Sequence, residues 1–173
     1  PTLGTSYLLR HVVNSTQTAV VTLNLGVGPI TVRFDDADVL WMRQNRPEFR
    51  EEIAPEVVAR ELGLDVDQLD LRFPCQRVST GLEFLLVPLR SYAALKQAVA
   101  PHSGELAAAF FLFCPGGYEK SQAIQARMFA VELGVTEDPA TGSANGCLAA
   151  YLAEHLFFGA PEVRVTVGQG YEI

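Results

Sequence analysis

Stretches of alternating apolar and polar positions, and short apolar runs further along, predict strands in this chain. Residues 19–25 and 29–34 flank Gly26-Val27-Gly28 and predict a β-hairpin, followed by a short third strand at 39–43. Further strands are expected at 77–79, 84–87, 108–113, 123–130 and 163–167. Two amphipathic helices interrupt them. Residues 55–62 place Pro55 in the first turn and Gly63 just past the end. Residues 92–99 follow Ser91, a residue type suited to an N-cap. Residues 3–13 and 143–157 follow another pattern, apolar or small on nearly every side. A helix without a polar face is normally enclosed, so both are expected to be buried central helices.

The best candidate boundary is Asn45-Arg46-Pro47, a polar and helix-breaking stretch that separates residues 1–46 from 47–173. A short internal repeat supports two units. Pro1-Thr2-Leu3-Gly4-Thr5-Ser6 resembles Pro139-Ala140-Thr141-Gly142-Ser143-Ala144, and each opens one of the all-round apolar segments. The reading is two similar halves, each a sheet curled around one central helix. A helix N-terminus presents unpaired N–H groups and about half a positive charge, so such a place can hold a carboxylate. The plainer alternative is that Thr5, Thr141 and Ser143 only cap their helices.

Composition narrows the function classes. Apolar residues make up 49% and charged residues 19%, which suits a packed core rather than disorder. Net charge is −7, and the 13 basic residues are scattered, with Lys96 and Lys120 the only lysines. That argues against nucleic acid and against an anionic membrane surface. No apolar run approaches the ~20 residues that span a bilayer, and Pro1-Thr2-Leu3-Gly4 offers no signal peptide. Cys75, Cys114 and Cys147 form no CxxC pair and have no histidine cluster nearby, so no zinc site or disulfide framework is expected. Reduced thiols and a cytoplasmic location are the reading. The Asn14-Ser15-Thr16 sequon is then incidental.

The most informative stretch is Glu137-Asp138-Pro139-Ala140-Thr141-Gly142-Ser143-Ala144-Asn145-Gly146. It sets Asp138 immediately before a helix N-terminus, where the dipole favours its ionised form while burial and substrate charge oppose it. A carboxylate under such opposed influences can serve as a general acid or base. An Asp N-cap with Pro in the first turn is the structural alternative.

EDPATGSA followed by NGCLAAYL resembles the signature of the PhzF family, which has the diaminopimelate-epimerase-like fold. PTLGT resembles the family's Gly-His-Pro-Thr-x-Gly helix opening, RVSTGLEFLLVPL its Ser-Thr-Gly strand pair, ARMFAVELG its Arg-x-Phe stretch, and VGQGYEI the start of its closing motif. The resemblance implies an α+β chain of two pseudo-symmetric halves, each with a mixed sheet curled around a central helix. Residues 1–46 would be the remainder of the first half and 47–173 the second. It implies a cofactor-independent isomerase or epimerase that moves a proton on a small carboxylate-bearing substrate, without metal, and commonly as a homodimer. Asp138 inherits the active-site aspartate's role, and Gly142, Ser143 and Thr141 the substrate-binding turn.

The departures also matter. The family's histidine directly precedes Pro-Thr-x-Gly, and its principal proton-shuttling glutamate lies further upstream. His11, His102 and His155 do not match that histidine, and Glu51, Glu52 and Glu61 read as surface charges. The chain is therefore expected to be incomplete at both ends, with its first central helix short of sheet partners and Leu3, Tyr7, Leu8, Leu9 and Val12 exposed. A ligand-binding protein that kept the fold and lost the chemistry is the alternative function. Cys147 is read as core rather than as the thiol of a cysteine-dependent racemase.

Overall fold

The computed structural model describes residues 2–13, 18–37, 39–101 and 106–173; Pro1, the sequon at 14–16 and His102 lie outside them. The chain divides into two compact units, Pro1–Arg46 and Pro47–Ile173.

In the first unit, β1 (Val20–Leu25), β2 (Gly28–Phe34) and β3 (Leu40–Met42) form a three-stranded antiparallel sheet. Leu25 pairs with Gly28, and Gly28 takes φ 102°, a left-handed value that glycine tolerates. The Asp35 carboxylate shapes the next turn by accepting the N–H groups of Ala37 (3.0 Å) and Val39 (2.9 Å) and the Trp41 indole N–H (3.1 Å). The helix α1 (Thr2–Leu8) continues into a π-helical turn at Leu9–Val13.

This helix is not enclosed, in line with the exposure expected of a first half short of sheet partners. Of α1 and this turn only Ser6 is buried, while Tyr7 is 45% and Val12 66% exposed. The helix and its π-helical turn meet the sheet with Arg10, 4.4 Å over the Phe34 ring, and His11. Leu3, Tyr7, Leu8, Val12 and Val13 are exposed.

The second unit is built on one mixed sheet in the order β10-β8-β7-β6-β5-β4, with β9 also on β8. Its strands are β4 (Glu48–Ile53), β5 (Cys75–Ser79), β6 (Glu83–Pro88), β7 (Phe110–Pro115), β8 (Ile124–Ala130), β9 (Val135–Asp138) and β10 (Val167–Gln169). The β6–β7 and β8–β10 pairs are parallel and the others antiparallel. The period of two divides the side chains cleanly. Phe110, Leu112 and Phe129 join one core with α2 (Pro55–Glu61) and α3 (Tyr92–Gln97). Phe111, Phe113, Ile124, Ala126 and Met128 join another with α4 (Gly142–Glu154). Both cores belong to one unit, so helices cover both faces of the sheet.

The caps agree with the sequence. Ser91 Oγ accepts the Ala94 N–H at 3.2 Å, and Gly63 follows α2 at φ 65°. Three expectations change. Helix α4 is not enclosed on all sides: its buried positions Ala144, Cys147, Leu148, Tyr151 and Leu152 make one stripe. Its small residues Ala149, Ala150 and Ala153 are exposed or half-buried because the stripe alone reaches the sheet. The strand expected at 163–167 pairs only over Val167–Gln169; Val163 and Val165 pack on the α4 core without joining the ladder. Glu61 is 7% exposed rather than a surface charge, because it lies one turn after Val58 on the inner side of α2.

Candidate active site

Asp138 is the last residue of β9, and three features of the sequence put it there. Met128 of β8 pairs with Asp138. The neighbouring Glu137 is locked by Arg127, whose Nε and Nη2 each donate to its carboxylate at 2.8 Å. Arg127 Nη1 also donates to the carbonyls of Leu95 (2.9 Å) and Ala98 (2.8 Å) at the end of α3. Such a bidentate buried pair fixes direction as well as distance. Glu137 thus anchors the strand end, and the next residue reaches the mouth of α4.

The turn Pro139-Ala140 is exposed, and Asp138 itself is half-buried. Its Oδ2 accepts the Thr141 hydroxyl proton. Helix α4 then begins at Gly142, with Thr141 at the N-cap but without a side-chain capping bond. Neither expected capping arrangement therefore occurs at this helix: Asp138 is not the N-cap, and the Thr141 hydroxyl serves Asp138 instead. The first-turn N–H groups of α4 have no acceptor inside the helix by construction. The space over Gly142 is open, since a Cβ there would meet no atom within 4 Å. Ser143 stands beside it, half-buried. A carboxylate, a hydroxyl and a 13-residue helix N-terminus are thus gathered in one turn.

Two polar residues join them. Gln169 on β10 contacts both Asp138 and Thr141, with Nε2 2.8 Å from the Asp138 carbonyl oxygen. Asn145 Nδ2 donates to the Thr141 carbonyl at 3.0 Å, and its Oδ1 is enclosed without a hydrogen-bond partner among the described residues. Gln169, Asn145 and Arg127 all stood inside recognised motifs. Only a contact across some thirty residues gives Gln169 and Arg127 their parts, and alternation along a chain carries no such signal.

The other sequence candidates lie apart from this turn. Cys147 is fully buried on α4, its thiol donating toward the Leu82 carbonyl at 3.8 Å and lying 3.7 Å from Thr80 Oγ1. Burial pushes that thiol above its usual range. A thiolate, the reactive form, is thereby disfavoured. His155 sits at the opposite end of α4, about 20 Å away by helix rise. It lines a cleft of about 660 Å³ together with Glu52, Leu69, Arg72, Phe73 and Cys75. None of Asp138, Thr141, Gly142 or Ser143 lines that cleft. Among the described residues no group of three or more His, Cys, Asp or Glu is placed to hold a metal ion, and no helix is long and apolar enough to cross a membrane.

The site thus sets a half-buried carboxylate before a helix N-terminus in an α+β unit. The chain belongs to the phenazine biosynthesis-like protein family, whose PhzC-PhzF model matches residues 1–173. It is similar to an uncharacterized isomerase of Clostridium acetobutylicum, 29% identical over 87% of this chain and 54% of the relative. It is 36% identical to the trans-2,3-dihydro-3-hydroxyanthranilate isomerase of Pseudomonas chlororaphis, over 65% of this chain and 42% of that protein. The chain thus spans about half the length of the curated relatives it matches. Its fold matches a PhzF-family phenazine biosynthesis protein of Bacillus anthracis at TM-score 0.83, with 25% identity, over 99% of this chain and 62% of that one.

Proposed function

We propose that the protein is an isomerase in which Asp138 transfers a proton on a small carboxylate-bearing substrate. The observation that carries this is the Thr141 hydroxyl donating to Asp138 Oδ2 rather than capping α4. That leaves the carboxylate oriented and the first turn of α4 without a cap from the Thr141 side chain. The substrate carboxylate takes the α4 N-terminus, held by the backbone of Gly142 and by Ser143. Asp138 removes a proton from a nearby carbon, and the charge spreads onto the substrate carboxylate, where the helix dipole favours it. The acid exchanges its proton with solvent, and a proton is returned to another carbon or another face, so no redox partner is consumed. Thr141 acts on Asp138 rather than on substrate, because its hydroxyl is engaged by Asp138 and its N–H by Gln169. The isomerase relative from P. chlororaphis supports a cyclic amino or hydroxy acid as the substrate class.

The test is incubation of the protein in deuterated water with a panel of such acids, read by mass spectrometry. Deuterium on carbon in at least one acid is the expected result. No label in any acid, beside a positive-control isomerase, contradicts the reading and favours a binding protein of the same fold.

A further inference from the structure

Gln169 reaches the Asp138 turn from the end of β10, and its amide is engaged by four atoms, one of them Asn145 Nδ2, which donates to Oε1 at 3.5 Å. Nε2 donates to the Asp138 carbonyl oxygen at 2.8 Å and to Thr141 Oγ1 at 3.0 Å. Oε1 accepts the Thr141 backbone N–H at 3.2 Å. Two of these partners have a fixed sign: a backbone N–H only donates and a backbone carbonyl only accepts. Together they settle which end of the amide is which. One Nε2 hydrogen goes to the carbonyl, and the other falls on Thr141 Oγ1.

A threonine hydroxyl carries a single proton. With Gln169 donating into its oxygen, that proton leaves toward the remaining neighbour, Asp138 Oδ2. The direction of the whole chain, Gln169 to Thr141 to Asp138, is therefore set by backbone groups that cannot reverse. We propose that Gln169 is a positioning residue: it commits the Thr141 hydroxyl to Asp138 Oδ2 and leaves Oδ1 as the oxygen presented for proton transfer. The proposal rests on the acid–base reading of Asp138, but its test does not need turnover.

The segment around Gln169 is built to hold it still. Gly170 has φ 83°, and its backbone lies so close to the turn that a Cβ would stand 2.8 Å from the Pro139 carbonyl oxygen. Two residues on, Glu172 Oε1 accepts the Tyr92 hydroxyl at 2.6 Å. On the other side, Gly168 pairs with Gln125 of β8. Gln169 is thus fixed before and after by contacts that do not involve Asp138.

The experiment is NMR on isotope-labelled protein. In the wild type, a slowly exchanging Thr141 hydroxyl proton is expected, correlated with the Asp138 carboxyl carbon, and two resolved Gln169 side-chain amide protons. Gln169→Leu should lose the hydroxyl signal and shift the Asp138 carboxyl carbon, with the backbone amide spectrum of α4 retained. Thr141→Ser should keep the hydroxyl signal and Thr141→Val should lose it. An unchanged hydroxyl signal and unchanged Asp138 carbon in a folded Gln169→Leu would overturn the proposal. So would a wild-type hydroxyl that exchanges as fast as those of exposed threonines, and that reading stands even if Gln169→Leu does not fold. Failure of the isomerase reading is seen separately, as absence of deuterium label in a wild type whose hydroxyl signal is intact.

Discussion

Asp138 and Cys147 share one helix neighbourhood, and their surroundings give them opposite chemistry. The carboxylate is half-buried and receives a hydroxyl proton, while the thiol is fully buried against Leu82 and Thr80. Burial also lifts the Cys75 thiol to about 12 and the Cys114 thiol to about 11. All three thiols should therefore resist iodoacetamide at pH 8 in the folded protein and react once it is unfolded. Rapid labelling of native Cys147, read by peptide mass spectrometry, would restore it as a candidate nucleophile. At this scale the sequence was generous with Asp138, because its motif is local. It was silent on Gln169, whose partners lie 28 and 31 residues away in the chain.

Elements were legible where hydrophobic periodicity chose them. The hairpin alternates, β6 and β7 read as short apolar runs, and α2 and α3 carry amphipathic spacing, with Ser91 capping α3. Strand β4 was not legible: Glu48, Arg50, Glu51 and Glu52 leave it little apolar signal. It is an edge strand held by ion pairs, Arg50 to Glu83 at 2.7 Å and Arg77 to Glu51 at 2.9 Å, and it carries a register shift. Charges and bulges are what protect an exposed edge. The segment after β10 was noticed as a motif but its role was not legible, since that role depends on one glycine. Gly170→Ala should cost about 1–3 kcal/mol, from a strained backbone and a clash with the Pro139 carbonyl. Gly168→Ala should cost less, because the nearest atoms there are the ends of flexible Gln125 and Gln122 side chains. Urea midpoints measure both; equal costs would mean that Pro139 yields easily and the brace is soft.

The molecule's response to acid follows from groups at the far end of α4. Burial holds His155 below its ordinary value of 6.5, so the unfolded chain takes up the proton first. Stability should therefore be steady above that value and decline as pH falls through it. The Arg72 side chain holds Asp70 below 3.8, which adds a further loss only at lower pH. His155→Gln should flatten the decline near pH 6 in urea-midpoint series while leaving the lower one in place. An unaltered slope would mean another group dominates. At this scale the sequence conveyed the α+β class through its strands and helices. It misjudged how far α4 is enclosed, because an all-round apolar pattern records what a helix tolerates and not which layers cover it. Helix α4 shows this, with one stripe on the sheet and Ala149 exposed.

The claim on which the account turns is that the Asp138 carboxylate handles the transferred proton. Its most direct test is the rate of carbon-bound hydrogen exchange in deuterated water for wild type and Asp138→Asn, on an acid the wild type labels. The amide keeps the size and the acceptor oxygen but cannot take the proton. The account predicts a rate lower by roughly 10²–10⁴-fold with folding unchanged. Exchange by Asp138→Asn at the wild-type rate would contradict it.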